Sequence, residues 1–283
     1  IASMKSHGEE LSITTKNIQT KDFSWTTNLI YSHAVNEVTD LMTQASTMDY
    51  IQGTGFAKKG YPVRALFSIP FMGLDEDGYP TFLNEKGLVT STDINFQERI
   101  NNGYLKYEGP TDPTYTGSLG NVFGYKGFHL NIFMTYSFGN VVRLDPVFSA
   151  QYNDLSSMTK EFKNRYRLGG DEKYTDVPTI LTYRQYHDNT QLQLGYNAYN
   201  YSDIRVAKGD FIRMKEISLS YDFPAAWFTH TALKNLSLKL QGTDLFLIYA
   251  DKKLNGQDPE FFRAGGVSAP LPRQFTLTVK AGF

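Results

Sequence analysis

The chain contains no cysteine, which excludes disulfides, thiolate metal sites and a cysteine nucleophile and leaves the redox compartment open. No apolar run reaches the ~18 residues of a membrane-spanning helix. Charge of one sign is missing too. The 28 Lys+Arg against 29 Asp+Glu leave a formal net charge of -1, so nothing draws the chain onto a phosphate backbone, and nucleic acid is not expected as a partner. A secretory leader is absent from the start, where Lys5, His7, Glu9 and Glu10 interrupt any apolar core between Ile1 and Ile13. Either the chain is cytoplasmic or its true beginning lies elsewhere. Helical periodicity is scarce. Only Leu155, Met158 and Phe162, after Asn153 and Asp154 and before Gly169-Gly170, recur at helical spacing, which predicts a short loop helix.

Catalytic signatures are equally scarce. There is no Gly-x-Ser-x-Gly elbow, P-loop or dinucleotide fingerprint, and acids and serines are too common to nominate a triad. His7, His33, His129, His187 and His230 are scattered without the close pairing of a zinc site. Asp75-Glu76-Asp77-Gly78 has clustered carboxylates but lacks the further ligand spacing of a calcium loop, and Asp-Gly reads as a turn. No catalytic residue, metal or cofactor is expected, and no enzymatic reaction.

What the sequence does have is aromatic side chains, at 14%, and alternation with period two. Phe128, Leu130, Ile132, Met134, Tyr136 and Phe138 alternate with a mostly polar set. The same pattern runs through Phe23, Trp25, Thr27, Leu29 and Tyr31, through Tyr61, Val63, Ala65, Phe67, Ile69 and Phe71, and through Phe275, Leu277, Val279, Ala281 and Phe283. Each reads as a strand with one apolar face. Two segments change phase. Ile217, Leu219, Tyr221 and Phe223 are out of step with Ile212 and Met214, which suggests a bulge, and Leu236, Leu238 and Leu240 give way after Gly242 to Leu245, Leu247 and Tyr249. Register across both switches, and across 75–102, is left open.

The connections at Lys16 to Asp22, Tyr125 to Gly127 and Phe223 to Leu233 are short, whereas Val38 to Gly60, Asn140 to Lys208 and Ala250 to Pro270 are long and polar. Tight turns at one end and long loops at the other suit a transmembrane barrel. A soluble sandwich also alternates, so three further features decide. The stripes match the ~9 to 11 residues of a tilted strand crossing hydrocarbon. They are edged by aromatics, as at Phe23 and Trp25, Tyr136 and Phe138, Tyr221 and Phe223. Between Phe128 and Phe138, and between Phe275 and Phe283, the apolar phase carries no charge, while Gln274, Thr276, Thr278 and Lys280 in the opposite phase suit a wet lumen.

An ordered series of motifs then resembles one family, the SusC/RagA type of TonB-dependent outer-membrane transporters of Bacteroidetes. Gly8-Glu9-Glu10-Leu11 and Phe23-Ser24-Trp25-Thr26 are followed by Gly109-Pro110 through Gly117 and by Tyr125-Lys126-Gly127-Phe128-His129-Leu130. Asn164-Arg165-Tyr166-Arg167, Gly170-Asp171, Asp176-Val177-Pro178, Gly209-Asp210-Phe211-Ile212-Arg213-Met214-Lys215, Tyr221-Asp222-Phe223-Pro224, Asp258-Pro259-Glu260 and Pro272-Arg273-Gln274-Phe275 continue it. The sequence departs from the family at His129, where Asp is commoner, and at Asp244, where Asn is more usual, and it matches only weakly over Asp75 to Asn102.

The resemblance implies an all-β fold: about the last eight or nine antiparallel strands of a transmembrane barrel of about 22, with long extracellular loops. Residues 1–283 would be the C-terminal portion of that barrel domain, with TonB box and plug upstream. Such a segment cannot span a membrane alone, because open edges leave backbone groups unpaired in lipid. It also implies an outer-membrane importer of oligosaccharides or oligopeptides, energised through TonB and lidded by a SusD-like surface lipoprotein, with outer-membrane lipid and lipopolysaccharide around it. A terminal Phe283 completing the last stripe is similar to the ending read by the barrel-assembly machinery.

Tyr183, Tyr186, Tyr196, Tyr199 and Tyr201 in the Asn140 to Lys208 loop can offer stacking faces to sugars or apolar surface to a lid, or can pack the loop on itself. Lys160, Lys163, Arg165 and Arg167 form a modest basic cluster, read as a solvated face or a lipopolysaccharide or lid contact. Two other classes stay open: a complete small outer-membrane pore or adhesin, and a soluble carbohydrate-binding β-sandwich.

Overall fold

A computed structural model describes residues 2–53, 56–147, 160–262 and 270–283. In chain order these form β1 (Ala2–Gln19), β2 (Phe23–Leu41), a helix α1 (Thr47–Gln52) and five short strands, β3 (Ala65–Ser68), β4 (Phe71–Leu74), β5 (Pro80–Leu83), β6 (Val89–Thr90) and β7 (Lys106–Pro110). There follow β8 (Tyr115–Tyr125), β9 (Phe128–Phe138), β10 (Val141–Arg143), helices α2 (Tyr183–Asp188) and α3 (Thr190–Asn200), and β11 (Val206–Lys208). The chain ends in β12 (Phe211–Asp222), β13 (Asn235–Ala250) and β14 (Gln274–Gly282). No helix among the described residues is long and apolar enough to cross a membrane.

The chain divides into two compact units. One holds Ser6–Val35, Pro113–Asn140 and Lys208–Phe283; the other is built mainly from Asn36–Asp112 and Val141–Ala207. The long strands make a seven-stranded sheet in the order β1-β2-β8-β9-β12-β13-β14. Paired residues in a sheet share a face, so the register shows what each face carries. Phe23, Tyr125, Phe128, Tyr221, Leu238 and Val279 form one row across six strands, and Trp25, Phe123, Leu130, Leu219, Leu240 and Leu277 the next. Above them run Thr27, Asn121, Ile132, Ile217, Gly242 and Phe275, and then Leu29, Leu119, Met134, Met214 and Phe246. The opposite face carries Ser24, Gly124, His129, Ser220, Lys239 and Thr278, and then Thr26, Val122, Asn131, Ser218, Gln241 and Thr276.

The phase switch in Phe211 to Phe223 is a bulge, as the pattern suggests. Pairing steps from Met214 to Glu216 and leaves Lys215 unpaired. Because of that extra residue, Met214 lies opposite Met134 and Ile217 opposite Ile132, so both stay on the apolar face. A matching irregularity in β13 holds Asp244 at φ +52, a left-handed conformation that Asp and Asn tolerate better than most side chains. The ammonium of Lys215 pairs with the Asp244 carboxylate and ties the two bulges together. A second slip at Ile248 puts Leu247 opposite Arg213 and Tyr249 opposite Ile212. The outward residues here are therefore Phe246, Ile248 and Tyr249, at 47%, 49% and 44% exposure.

Turn chemistry joins β8 to β9. Lys126 and Gly127 both have positive φ, +45 and +87, as a two-residue type I′ hairpin requires. The glycine also leaves room for the Asp222 carbonyl, 2.8 Å from where a Cβ would sit. Gly117 is needed for space of a different kind: a Cβ there would lie 2.1 Å from the Ile30 carbonyl and 2.4 Å from the Tyr136 hydroxyl, whose ring covers it.

Three expectations need correction. The long sheet has seven strands rather than eight or nine, because the Tyr61 to Phe71 alternation is not a wall strand. It becomes β3 and β4, interrupted at Pro70, and all four β3 residues are buried. Both sides of β3 are covered, so alternation there marks a small protein core. The second correction is that the unit holding the long loops has a hydrophobic core of its own, in which Ile51, Phe67, Ile69, Phe82 and Tyr199 are at most 1% exposed. Burial of each such side chain contributes about 1.5–3 kcal/mol.

Third, the described residues form three α-helices, all at places where none was expected. α1 starts in a capping box between Ser46 and Asp49. α3 starts where the Asn189 side chain accepts the Leu192 N–H and buries Leu192, Tyr196 and Tyr199 on one stripe. The segment expected as a helix at Leu155 and Met158 lies outside the described residues; Phe162 is buried in a 3-10 turn, Lys160–Asn164. In the full-length protein, Gly117→Ala should sharply reduce the yield of folded protein, read as loss of protease resistance. Gly120→Ala, whose nearest neighbour would be Phe133 at 3.4 Å, should be tolerated. Equal yields from the two would contradict the close-approach argument.

Candidate functional site

Two regions carry chemistry, one in each unit. The first is the polar face of the long sheet. His129 Nε2 is 3.2 Å from Asp222, which gives the histidine found in place of the commoner Asp a carboxylate partner. The Asn131 amide donates to Glu216 at 3.2 Å, and Lys239 stands 3.7 Å from the same carboxylate. At the loop end Arg213 is buried, with Nη2 2.6 Å from both Asp258 oxygens and Nε 3.1 Å from Glu260. Its guanidinium also lies over Phe211 and Phe261, 5.5 and 5.9 Å from the ring centres.

Two separate motifs, Gly209 to Lys215 and Asp258-Pro259-Glu260, thus meet in one buried ion cluster. Asp210, in the first of these motifs, accepts the Gly139 N–H at 2.7 Å. A Cβ on Gly209 would collide with Asn140, whose carbonyl accepts the Gly209 N–H.

The second region is the loop unit. Arg143 donates to the carbonyls of Ser202 (2.7 Å), Phe67 (2.6 Å) and Ile51 (3.2 Å), joining three segments. Burial lowers its pKa to about 10, so it remains a cation at neutral pH. Lys58 sits among the rings of Phe67, Tyr50 and Tyr61, with Nζ 4.9, 5.3 and 5.6 Å from their centres. Burial pushes that ammonium down. Glu108 is pushed up from the ordinary carboxylate value, chiefly by burial, with Lys106 opposing the shift. Lys106 is 3.7 Å from Glu108 and 3.0 Å from Asp203.

The five loop tyrosines divide by environment. Tyr199 is fully buried, edge-on to Phe71 at 5.9 Å, and burial pushes its phenol up. Tyr196 is buried and donates to the Thr179 carbonyl at 2.6 Å. Tyr201 is partly buried against the core, under the Arg143 guanidinium at 5.8 Å. Tyr186 is partly buried, and Tyr183, 79% exposed, stacks on His187 at 4.0 Å. Tyr196, Tyr199 and Tyr201 therefore pack the loop unit, while Tyr183 presents a largely exposed ring.

The basic cluster is partly engaged, since Arg165 and Arg167 donate to the carbonyls of Phe162 and Lys163. Asp75 closes its own turn by accepting the N–H groups of Asp77 and Tyr79. Among the described residues no group of three or more His, Cys, Asp or Glu could hold a metal. Phe283 is 77% exposed, and its carbonyl accepts a hydrogen bond from Lys234 Nζ. Sequence reading missed the Arg213–Asp258 pairing, because partners 45 residues apart leave no local spacing signal.

Two measurements check these assignments. Asp258→Ala strands a buried guanidinium, so it should cost about 3–5 kcal/mol locally and expose the Asp251 to Phe262 segment to protease; unchanged protection would contradict the pairing. For Glu108, a raised acid pKa means the folded state binds more protons than the unfolded one, so stability falls as pH rises. The stabilisation is complete below the unfolded-state carboxylate pKa and lost as pH rises through the raised value. Protection from hydrogen exchange at the β3–β7 pairing should weaken across that window, and Glu108→Gln should flatten the trend; a variant as pH-dependent as the parent would contradict it.

No family model matches the chain. The curated relatives include the TonB-dependent receptor P3 of Formosa agariphila, 23% identical over 92% of this chain and 25% of that protein. They also include the TonB-dependent receptor SusC of Bacteroides thetaiotaomicron, 28% identical over 98% of this chain and 26% of that protein. Among solved structures, the RagAB peptide transporter aligns with 100% of this chain and 30% of its own at a TM-score of 0.73 and 20% identity. The chain spans between a quarter and a third of the length of these proteins. Motif series, sequence relatives and fold neighbours agree: this chain is similar, along nearly all of its length, to part of the TonB-dependent receptors of the SusC/RagA type.

Proposed function

We propose that the chain forms part of the wall and outer loops of a β-barrel in an outer membrane, and that the whole protein imports oligosaccharides or oligopeptides. The observation that carries this is the register. Two bulges and a hairpin turn keep apolar side chains on one face across six strands, and that face stands open: Phe275, Leu277 and Val279 are 74%, 65% and 62% exposed. In water a contiguous apolar face of this extent favours association. In hydrocarbon it is the expected surface. The eleven residues of β9, at about 3.4 Å each and tilted about 45°, rise about 26 Å, close to the ~25 Å apolar band of outer-membrane barrels.

The aromatic edges fit the same reading. Phe128 and Tyr221 pair at one end with ring centres 4.4 Å apart, and Tyr136, Phe138 and Tyr249 lie at the other. The polar face, with its paired charges, would line a wide aqueous lumen. The open edges of β1 and β14 would be closed by strands supplied from elsewhere in the full-length protein.

By similarity to SusC and to RagAB, the importer would work with TonB and with a SusD-like lipoprotein lid. This segment's part is mechanical: it catalyses nothing, and its loop unit holds surface such as Tyr183 and Tyr186 toward lid or cargo. A terminal Phe283 would serve the assembly machinery.

The test uses the full-length gene. Its product should fractionate with the outer membrane, migrate heat-modifiably, and support TonB-dependent uptake of an oligosaccharide or a peptide mixture. Tyr183→Ala should lower uptake without lowering folded barrel, and deletion of Phe283 should lower assembly. A product that stays soluble without detergent would overturn the reading; normal assembly without Phe283 would remove only the terminal-signal part.

A further inference from the structure

Cations of the loop unit commonly stand beside an acid. Lys106 lies 3.0 Å from Asp203, Lys86 lies 2.7 Å from Asp93, and Arg205 pairs with Glu161. Lys58 does not. It is half-buried, pairs with no carboxylate among the described residues, and burial alone moves its pKa, downward. Its Nζ donates to the Asn102 carbonyl at 3.2 Å and otherwise faces the rings of Phe67, Tyr50 and Tyr61. Three ring faces and a carbonyl recognise an ammonium by its charge and by one of its N–H groups.

The cage does not depend on the lysine that fills it. Tyr50 on α1 and Phe67 on β3 are 6% and 1% exposed and meet edge-on at 5.5 Å. Tyr61 stands edge-on to Phe67 at 5.0 Å, and Tyr107 tilts against Tyr61 and Phe67 at 4.9 and 5.5 Å. Asn102, which supplies the carbonyl, is buried and held by its own side chain: the amide donates to the Ala45 carbonyl at 3.1 Å and accepts the Thr47 hydroxyl at 2.7 Å. Rings and acceptor are therefore fixed by their neighbours, a preorganised site. Its floor is covered by protein, while Tyr107, 37% exposed, brings the rim to the surface. Lys58 is held less firmly. Ordering a flexible lysine stem costs rotamer entropy of about the size that a cation–π contact returns. Such an occupant exchanges by rotation of its side chain, with the backbone unmoved.

We infer that the Tyr50–Tyr61–Phe67 cage, with the Asn102 carbonyl, is a binding site for the side-chain ammonium of a lysine in a ligand peptide, and that Lys58 fills it as an internal substitute which such a ligand displaces. The choice of lysine follows from the incumbent. The cage already accommodates a lysine stem and accepts one ammonium N–H. A neutral sugar brings no charge to the rings, and a guanidinium is a plane of five donors that a single carbonyl matches poorly. That the peptide is cargo rests on the import reading; the site itself rests on the loop unit alone. A free lysine competes here with a tethered one, so the parent binds it more weakly than a vacated cage would.

The test uses the purified, folded full-length protein and follows acetylation of single lysines by mass spectrometry. Lys58 should react about tenfold more slowly than the adjacent Lys59, whose side chain is 68% exposed. Nα-acetyl-lysine methylamide should raise the Lys58-to-Lys59 ratio several-fold as the incumbent is displaced, and the uncharged norleucine analogue should leave it unchanged. By calorimetry, Lys58→Ala should bind the lysine probe about tenfold more tightly than the parent. Adding Tyr61→Leu should abolish that gain while the protein stays protease-resistant. A ratio unmoved by the lysine probe overturns the inference, and that arm needs no substitution, so it decides even if Lys58→Ala fails to fold. A ratio raised equally by the norleucine analogue, equal affinity in parent and Lys58→Ala, or displacement by a glucosamine oligomer but not by lysine also overturns it. The barrel reading is independent of these results and stands or falls by fractionation and uptake.

Discussion

On the proposed reading, the long sheet answers to one constraint: a strand that separates hydrocarbon from water must present the two media with alternate side chains for its whole length. One residue out of step reverses the faces and turns every following apolar side chain toward water. This sequence does step out of phase, at Met214 to Glu216 and again in the partner strand near Asp244. The coordinates show that each step is absorbed by a bulge, so that Met214 and Ile217 look the same way. The Lys215–Asp244 ion pair holds the two bulges together on the side where a charge can be hydrated. Chemistry of the polar face thus maintains the geometry of the apolar one.

The loop unit obeys a different rule. Its core is covered by protein and carries two cations: Arg143 bonded to three backbone carbonyls, and Lys58 among aromatic rings. A buried guanidinium with satisfied acceptors gives a compact loop structure a defined interior that a flexible tether would lack. An ordered loop unit of this kind is compatible with the role proposed for the exposed Tyr183.

The long sheet was legible in the sequence because alternation is a local property, visible within ten residues. The hairpin at Lys126-Gly127 and the bulge in β12 were legible for the same reason. The loop unit was not. The alternation at Tyr61 to Phe71 looks like that at Phe128 to Phe138, and only the burial of Leu66 and Ser68 as well as Phe67 distinguishes a core strand from a wall strand. Helices α1 and α3 did leave marks, a capping box at Ser46 and the 192, 196, 199 spacing, but the polar composition of the loop obscured them. The five tyrosines were found by composition; which of them pack and which face out depends on partners distant in sequence, as does the meeting of Arg213 with Asp258.

The most direct measurement of the central claim is a nitroxide scan along β9 of the full-length protein in lipid vesicles, recording oxygen and aqueous nickel-chelate accessibility at each position from Phe128 to Phe138. Labels at Leu130, Ile132 and Met134 should favour oxygen, and labels at His129, Asn131 and Thr135 should favour nickel, with a period of two. Low accessibility to both reagents at Leu130 and Ile132, as inside a two-layered protein core, would contradict the account.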